Sequence, residues 1–288
     1  MWNMLKKLTY SDYDVSEERR IILKERVEAV RKNLQVESII KNNEIIGTIG
    51  QSKSEEWQSE RTLRITASRC KAFSGYGELL NNGNLSLKQL NTVSEVVNEK
   101  LWFSKDYKTE AMKYGLKEEP QARLKYIEAT NNQVRETGMW VNNDYPFLGA
   151  SPDGLILHDT SKDVVGVLEI KCLQILKDCT VEDLINTSKT EKNPKLSSQC
   201  FKIVDDKLIL KKGSPYYYQI QLQMLVTGVK FCDFVLHSPK GPPSIERISE
   251  DVTLQDIIIK NTKVFWERAL VPEYFEKRLP RNLPLMIL

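Results

Sequence analysis

The sequence predicts an α/β fold, a sheet core in the middle of the chain with helices before, within and after it. Three observations carry this. Val164–Cys172 is a β-branched apolar run that suits a central, buried strand. Strand-like runs flank it, Val141–Leu148 and Leu155–Leu157 before, Phe231–His237 and Ser244–Ile248 after. Between the two groups, Pro215–Thr227 opens on proline and is closed by Gly228, the asymmetry that helices favour. Helical and extended segments therefore alternate, as in an α/β chain.

Taken in order, the segment from Ser16 to about Asn42 is charged, with Ile21, Val27, Val30 and Leu34 at helical spacing. Gly47, Gly50 and Ser52–Ser54 then interrupt the pattern, which places a linker near 43–55. The expected organisation is an N-terminal helical appendage over 1–50 and one large domain over 51–288. Ser94–Phe103 and Tyr114 to about Asn131 are rich in helix formers, with Leu116, Ala122 and Ile127 apolar along the second. Leu173–Lys195 is mixed and polar. Phe201–Val204 and Leu208–Leu210 flank Asp205–Asp206–Lys207 as a hairpin would, and Leu254–Leu270 closes the chain with an amphipathic helix. There is no internal repeat.

Composition narrows the class without naming it. The 288 residues are 41% hydrophobic and 28% charged, the make-up of an ordinary globular protein. Lys plus Arg number 42 against 39 Asp plus Glu, a formal charge of +3, too mild to announce a nucleic-acid partner alone. No run approaches the roughly 18 apolar residues of a membrane span, and Met1–Leu8 lacks a signal's apolar stretch. The expectation is an intracellular protein with no membrane partner, nuclear in a eukaryote and otherwise cytoplasmic. Five scattered cysteines with no C-x-x-C pair read as free thiols rather than as a zinc or redox site. His158 and His237 read as ordinary structural residues.

The residues that suggest chemistry lie on the central run. Alternation along Val167–Lys171 puts Glu169 and Lys171 on one face and Leu168 and Ile170 on the other. The acidic-x-Lys pattern also occurs at Asp106–Lys108 and Asp205–Lys207, but only here does it fall within an apolar strand, where a charged pair is costly unless compensated. Upstream, Ser151–Pro152–Asp153–Gly154 reads as a turn leading into a strand. If the two strands pair, Asp153 and Glu169 could reach one hard cation, and oxygen ligands suit Mg²⁺ or Mn²⁺. Glu119, beside Glu118, is a candidate third carboxylate, although an exposed helical Glu has the same pattern. Tyr216, Gln219 and Gln223 share one helical face, and Tyr217 and Gln221 another.

In order and spacing, Arg61 with Ile65–Ser68, Gly115 with Glu119, Ser151–Gly154, Leu168–Cys172 and Tyr216 with Gln219–Gln221 resemble one family. It is the lambda-type exonuclease, or YqaJ viral-recombinase, branch of the PD-(D/E)XK nucleases. The resemblance spans roughly residues 55–275. It implies a restriction-endonuclease-like core, a central mixed sheet flanked by helices, in the 51–288 domain. It implies a Mg²⁺-dependent exonuclease, with Mn²⁺ able to substitute, that acts on double-stranded DNA with a free end. Digestion would run 5′ to 3′ and leave 3′ single strands for recombination or repair. Asp153, Glu169, the main-chain carbonyl of Ile170 and Glu119 would surround the metal. Lys171 would orient or help deprotonate the attacking water. Arg61, Ser68, Ser151 and Gln219 would bind phosphates, with Tyr216 supporting that face. A homotrimer and a single-strand annealing partner are assemblies the resemblance allows. An endonuclease or nickase on the same core, and an inactive DNA-binding module, are the alternatives.

Overall fold

A computed structural model of the chain describes residues 16–35, 40–41, 43–83, 85–103, 109–190 and 200–288. Met1–Leu8, the tripeptide Asp106–Lys108, positions 36–39 and 42 of the expected N-terminal helix, and residues 191–199, which include the end of the polar Leu173–Lys195 stretch, lie outside the described residues.

The chain begins with helix α1 (Glu17–Asn33), strands β1 (Ile40–Lys41) and β2 (Glu44–Ile45), helix α2 (Glu55–Arg61) and strand β3 (Ile65–Thr66). Helices α3 (Cys70–Asn82), α4 (Leu87–Leu101) and α5 (Glu110–Thr130) follow. Strands β4 (Gln133–Arg135), β5 (Trp140–Val141), β6 (Leu148–Ala150), β7 (Gly154–Leu157) and β8 (Val164–Lys171) come next, then helix α6 (Val181–Thr190). The hairpin β9 (Phe201–Val204) and β10 (Lys207–Leu210) leads to helix α7 (Pro215–Thr227), strands β11 (Phe231–Leu236) and β12 (Ser244–Ser249) and helix α8 (Val252–Phe265). A π-helical turn at Trp266–Leu270 joins α8 to helix α9 (Val271–Glu276). Among the described residues, no helix is long and apolar enough to cross a membrane.

β8 is the middle strand of a mixed sheet ordered β12-β11-β8-β7-β4. It is parallel to β11 and antiparallel to β7. A parallel pair needs a long crossover; here it carries α6, the β9–β10 hairpin and α7, so α7 is brought back over the sheet. The strand's alternation is resolved as its sequence implies. Leu168 and Ile170 pack with Ala122, Tyr126, Ile156 and Val235 beneath α5, while Val167 joins the larger core on the opposite face.

Polar anchors fix α5 to that sheet. The Tyr126 hydroxyl donates to Asp233 Oδ2 at 2.6 Å, and Arg247 donates to both oxygens of the same carboxylate at 2.7 and 2.9 Å. Asp233 is 2% exposed, so its charge is tolerable only because it is paired and fully hydrogen-bonded. Through Tyr126, the helix carrying Glu119 is registered against β11.

A second sheet, β1-β2-β5-β6-β3, lies on the N-terminal side. The region read from sequence as a linker near 43–55 contributes β2 and a 3₁₀ turn at Gln51–Lys53 to it. α1 buries Leu23 and Val27, and Arg19 ion-pairs with Glu276 of α9. The run Val141–Leu148, expected as one strand, is two short ones. Tyr145 N donates to the Asn142 carbonyl and Leu148 N to that of Tyr145, because Asn142–Pro146 is rich in turn formers.

α3 escapes a periodicity reading because Gly75 and Gly77 interrupt it. Their roles differ. A Cβ on Gly77 would sit 1.8 Å from the Asn261 carbonyl oxygen in α8, whereas a Cβ on Gly75 meets nothing within 4 Å. Gly77 therefore sets the close approach of α3 to α8. Gly77→Ala should cost about 1–3 kcal/mol through overpacking, and Gly75→Ala should be neutral or gain up to about 1 kcal/mol from helix propensity. Urea unfolding of the two variants side by side checks this, and equal midpoints would refute it.

Candidate active site

The two sheets are joined by one short piece of chain. β6 belongs to the second sheet and β7 to the central one, and only Ser151–Pro152–Asp153 separates them. Proline suits this step because it has no N–H to leave unpaired where the chain quits one ladder for another. Asp153 N donates to the Leu168 carbonyl at 3.0 Å, and the Ile170 N–H donates to Asp153 Oδ2 at 2.7 Å. The β7–β8 ladder has Gly154 opposite Leu168. Ile170, two residues on, directs its N–H and C=O to the same edge, where the side chain of Asp153 takes the place of a backbone partner.

Gly154 is not the left-handed residue of an Asp-Gly turn, which the tetrapeptide also suggested. It is needed for space, since a Cβ there would lie 2.7 Å from Val134 Cγ1. The segment is thus a bridge between sheets that turns an aspartate toward β8.

Glu169 is 1% exposed and faces α7. Lys171 Nζ donates to its Oε1, as does Gln219 Nε2 at 2.6 Å, and Gln223 Nε2 donates to Oε2 at 2.6 Å. The ring of Tyr216 lies 4.9 Å from Lys171 Nζ, a cation–π contact. The Tyr216–Gln219–Gln223 face noted in the sequence is therefore the face that covers Glu169 and Lys171. Ser214 starts α7 there by accepting the Tyr217 N–H at 3.1 Å.

Burial, then the proximity of Glu169, holds the Asp153 carboxyl well above the usual carboxylate range, with Lys171 opposing. For Lys171 burial pulls downward, but Glu169 and Asp153 more than offset it and raise the ammonium's pKa. The carboxylates thus act on Lys171 in the opposite direction from the lowering that a neighbouring cation would bring. Burial also raises Glu119, against the opposing pull of Arg123.

The structure brings Asp153, Glu169 and Lys171 together, with Gln219 and Tyr216 in contact with Glu169 and Lys171, and engages Glu119, Ser151 and Arg61 with other partners. Glu119 Oε1 accepts from Arg123 Nη2 at 2.8 Å, and Arg123 also reaches Glu136 at 2.5 Å. Gln219 is engaged with Glu169 itself. Ser151 Oγ accepts from Trp57 Nε1 at 2.8 Å, and the Arg61 guanidinium stacks 3.8 Å over the Trp57 ring. Ser68 is exposed on a 3₁₀ turn at Ala67–Arg69.

Three contributors had no clear signal in the sequence. Trp57 links Arg61 to Ser151, and Gln223 was visible only as part of a helical face. Lys100, at the end of α4, donates to the Arg61 carbonyl, and burial followed by Arg61 and Arg69 lowers its pKa to about 7. Cys70, Cys172, Cys179, Cys200 and Cys232 form no disulfide.

The groups expected to hold a metal, Asp153, Glu169 and the Ile170 carbonyl, are all oxygen donors, and Asp153 is tied to Ile170 through the N–H of that residue. Among the described residues no group of three or more His, Cys, Asp and Glu side chains is arranged to hold a metal ion. Mg²⁺ does not require one: it is ordinarily held by one or two carboxylates and completes its octahedron with water and substrate phosphate. Two mutually repelling carboxylates with such a carbonyl fit that chemistry, whereas a third from Glu119 would have to leave Arg123.

The sequence model of the YqaJ-like viral recombinase domain matches residues 56–230. The chain belongs to this family. The matched span runs from α2 to the end of α7 and contains every candidate residue above. Among solved structures, an alkaline exonuclease from Laribacter hongkongensis is similar at 27% identity and a TM-score of 0.51, covering 80% of this chain and 100% of that one. Its complex with dAMP gives a TM-score of 0.52 over the same coverage and identity. No curated protein sequence matches. The fold is thus the PD-(D/E)XK core of the lambda-exonuclease type, as the resemblance implied.

The raised pKa of Asp153 in this YqaJ-like domain has a measurable consequence. A carboxyl whose folded pKa lies above its unfolded value favours folding below the unfolded value and disfavours it as pH rises toward the folded one. The penalty grows with each pH unit above the unfolded value, so it is present at pH 7. Asp153→Asn, which keeps an acceptor for the Ile170 N–H, should stabilise the fold at pH 7 in EDTA by about 0.5–2 kcal/mol. The gain should shrink as pH falls and vanish near about pH 4, the unfolded carboxyl's value. Thermal melts across pH check this, and destabilisation at pH 7 would contradict it.

Proposed function

We propose that the protein is a Mg²⁺-dependent nuclease that digests linear double-stranded DNA from a free end, 5′ to 3′, leaving 3′ single strands for recombination or repair. The observation that carries this reading is the meeting of Asp153, Glu169 and Lys171 at the paired ends of β7 and β8 inside a YqaJ-like domain. The name of the similar Laribacter hongkongensis protein, an alkaline exonuclease, supports exonucleolytic chemistry.

In this reading Asp153, Glu169 and the Ile170 carbonyl hold the cation, and Glu119 completes its surroundings from α5 by turning away from Arg123. A Mg²⁺ or Mn²⁺ held there would supply a lowered pKa for water and positive charge against the phosphate. Lys171 orients the attacking water. With two carboxylates keeping it protonated, it acts as a donor and a positive charge rather than as a base. Arg61, Ser68, Ser151 and Gln219 grip backbone phosphates, with Tyr216 beneath Lys171. Lys100 adds a basic group beside Arg61. Contacts of this kind read charge and spacing rather than base sequence.

Purified protein with Mg²⁺ should degrade linear duplex DNA and spare a closed circular plasmid, releasing a 5′ label before a 3′ label. Glu169→Ala and Lys171→Ala should each lower the rate at least about 10²-fold with an unchanged circular-dichroism spectrum. Digestion at the wild-type rate by both variants would sink the site assignment, and loss of the circular plasmid would favour an endonuclease.

A second measurement tests the basic residues around Arg61. At pH 6, below the lowered pKa of Lys100, Lys100→Gln should reduce the slope of log affinity against log salt for duplex DNA by about 0.9, the effect of one lost phosphate contact. Fluorescence anisotropy in EDTA reads it. An unchanged slope with a lowered melting temperature would make Lys100 a cap on the end of α2 instead.

A further inference from the structure

Gln223 lies one turn beyond Gln219 on α7 and is fully buried, at 0% exposure. Its neighbours along the helix, Leu222, Met224 and Val226, are buried and apolar, so packing alone would be met by leucine or methionine. Its amide nitrogen donates to Glu169 Oε2 at 2.6 Å, while its amide oxygen is buried with no hydrogen-bond partner among the described residues. An unsatisfied buried acceptor costs about 1–3 kcal/mol. Reversing the amide would set oxygen against the carboxylate, so Glu169 dictates the orientation. This glutamine is thus tolerated at a cost, and the contact that compensates it is with Glu169.

The two oxygens of Glu169 are held differently. Oε1 is shared by Lys171, whose side chain is 19% exposed, and by half-buried Gln219; both have solvent into which to move. Oε2 is held by a side chain enclosed in the core. We propose that Gln223 is a positioning residue, which fixes Glu169 by its inner oxygen Oε2 and so leaves Oε1 as the oxygen offered to a divalent cation. The proposal rests on the reading of Glu169 as a metal ligand. Hydrogen-bond partners of metal ligands commonly contribute about 10- to 100-fold in metal affinity, and that is the size of effect expected.

The test is calorimetric titration of Mn²⁺ into the full-length protein without DNA, comparing wild type, Glu169→Gln, Gln223→Leu and Gln223→Met. Methionine is the second variant because its unbranched side chain adapts to the same space if leucine disturbs the fold. Both Gln223 variants should bind Mn²⁺ about 10- to 100-fold more weakly, with DNA affinity in EDTA unchanged and nuclease turnover restored at saturating metal. Affinity within twofold of wild type in a folded Gln223 variant, alongside lost binding in Glu169→Gln, would overturn this proposal alone. A wild-type protein that binds no Mn²⁺ would overturn the proposed function itself, and this inference with it.

Discussion

A carboxylate at 1% exposure on the central strand is the constraint around which the rest of this molecule is arranged. Removing such a group from water costs several kcal/mol even after relaxation, and here three donors offset it: Lys171 from the same strand, and Gln219 and Gln223 from α7. Two of the three come from one helix, so α7 must lie within hydrogen-bonding reach of β8. Its opposite face is tied down to ensure it. Gln221 Nε2 donates to the Ser249 carbonyl at 3.1 Å, and its amide oxygen accepts from Asp251 N at 2.7 Å. α7 is a spacer between the sheet and the start of α8, with glutamine doing the polar joining on both sides.

The second constraint is the bridge between sheets. Asp153 reaches β8 only because β6 and β7 are held in separate ladders three residues apart, and residues just after β2 hold them there. Gln51 Nε2 donates to the carbonyls of Pro152 and Thr137, both at 3.1 Å, and Trp57 donates to Ser151. The stretch around Gly47–Ser54 looks in sequence like slack between two units. In the fold it braces the bridge that positions the aspartate, and α2 beside it presents Arg61.

What the sequence made legible follows from this arrangement. β8 was readable because a buried middle strand must be apolar on both faces, and Glu169 and Lys171 stood out against it. α7 was readable because proline, glycine and an unbroken run of good side chains delimit it. α3 was hidden by Gly77, whose reason lies in a helix nearly two hundred residues away. The second sheet was hidden because its strands are two or three residues long, too short to show alternation. Ser151–Gly154 was ambiguous for a related reason: a bridge between two ladders and a tight turn use the same residue types, and only the pairing of both ladders separates them. Lys100 carried no local signal, since what sets it apart is the company of Arg61 and Arg69.

Charge around Asp153 is sorted in a way that no single pair explains. On the β8 side, Asp153 and Glu169 share one ammonium, and Glu119 and Glu136 share the guanidinium of Arg123. Carboxylates are in excess there, which is why burial and Glu169 together hold Asp153 so far above its usual range. On the α2 side the balance reverses. Arg61, Lys100 and Arg69 lie near one another, with Glu99 paired to Arg69 at 3.7 Å, and burial followed by the two guanidiniums pulls Lys100 down to about 7. Trp57 and Ser151 form the seam between the two regions. An isolated protein gains nothing in stability from keeping like charges together on either side of such a seam. A phosphodiester with a divalent cation would neutralise both at once, the cation on the carboxylate side and the adjoining phosphate on the basic side.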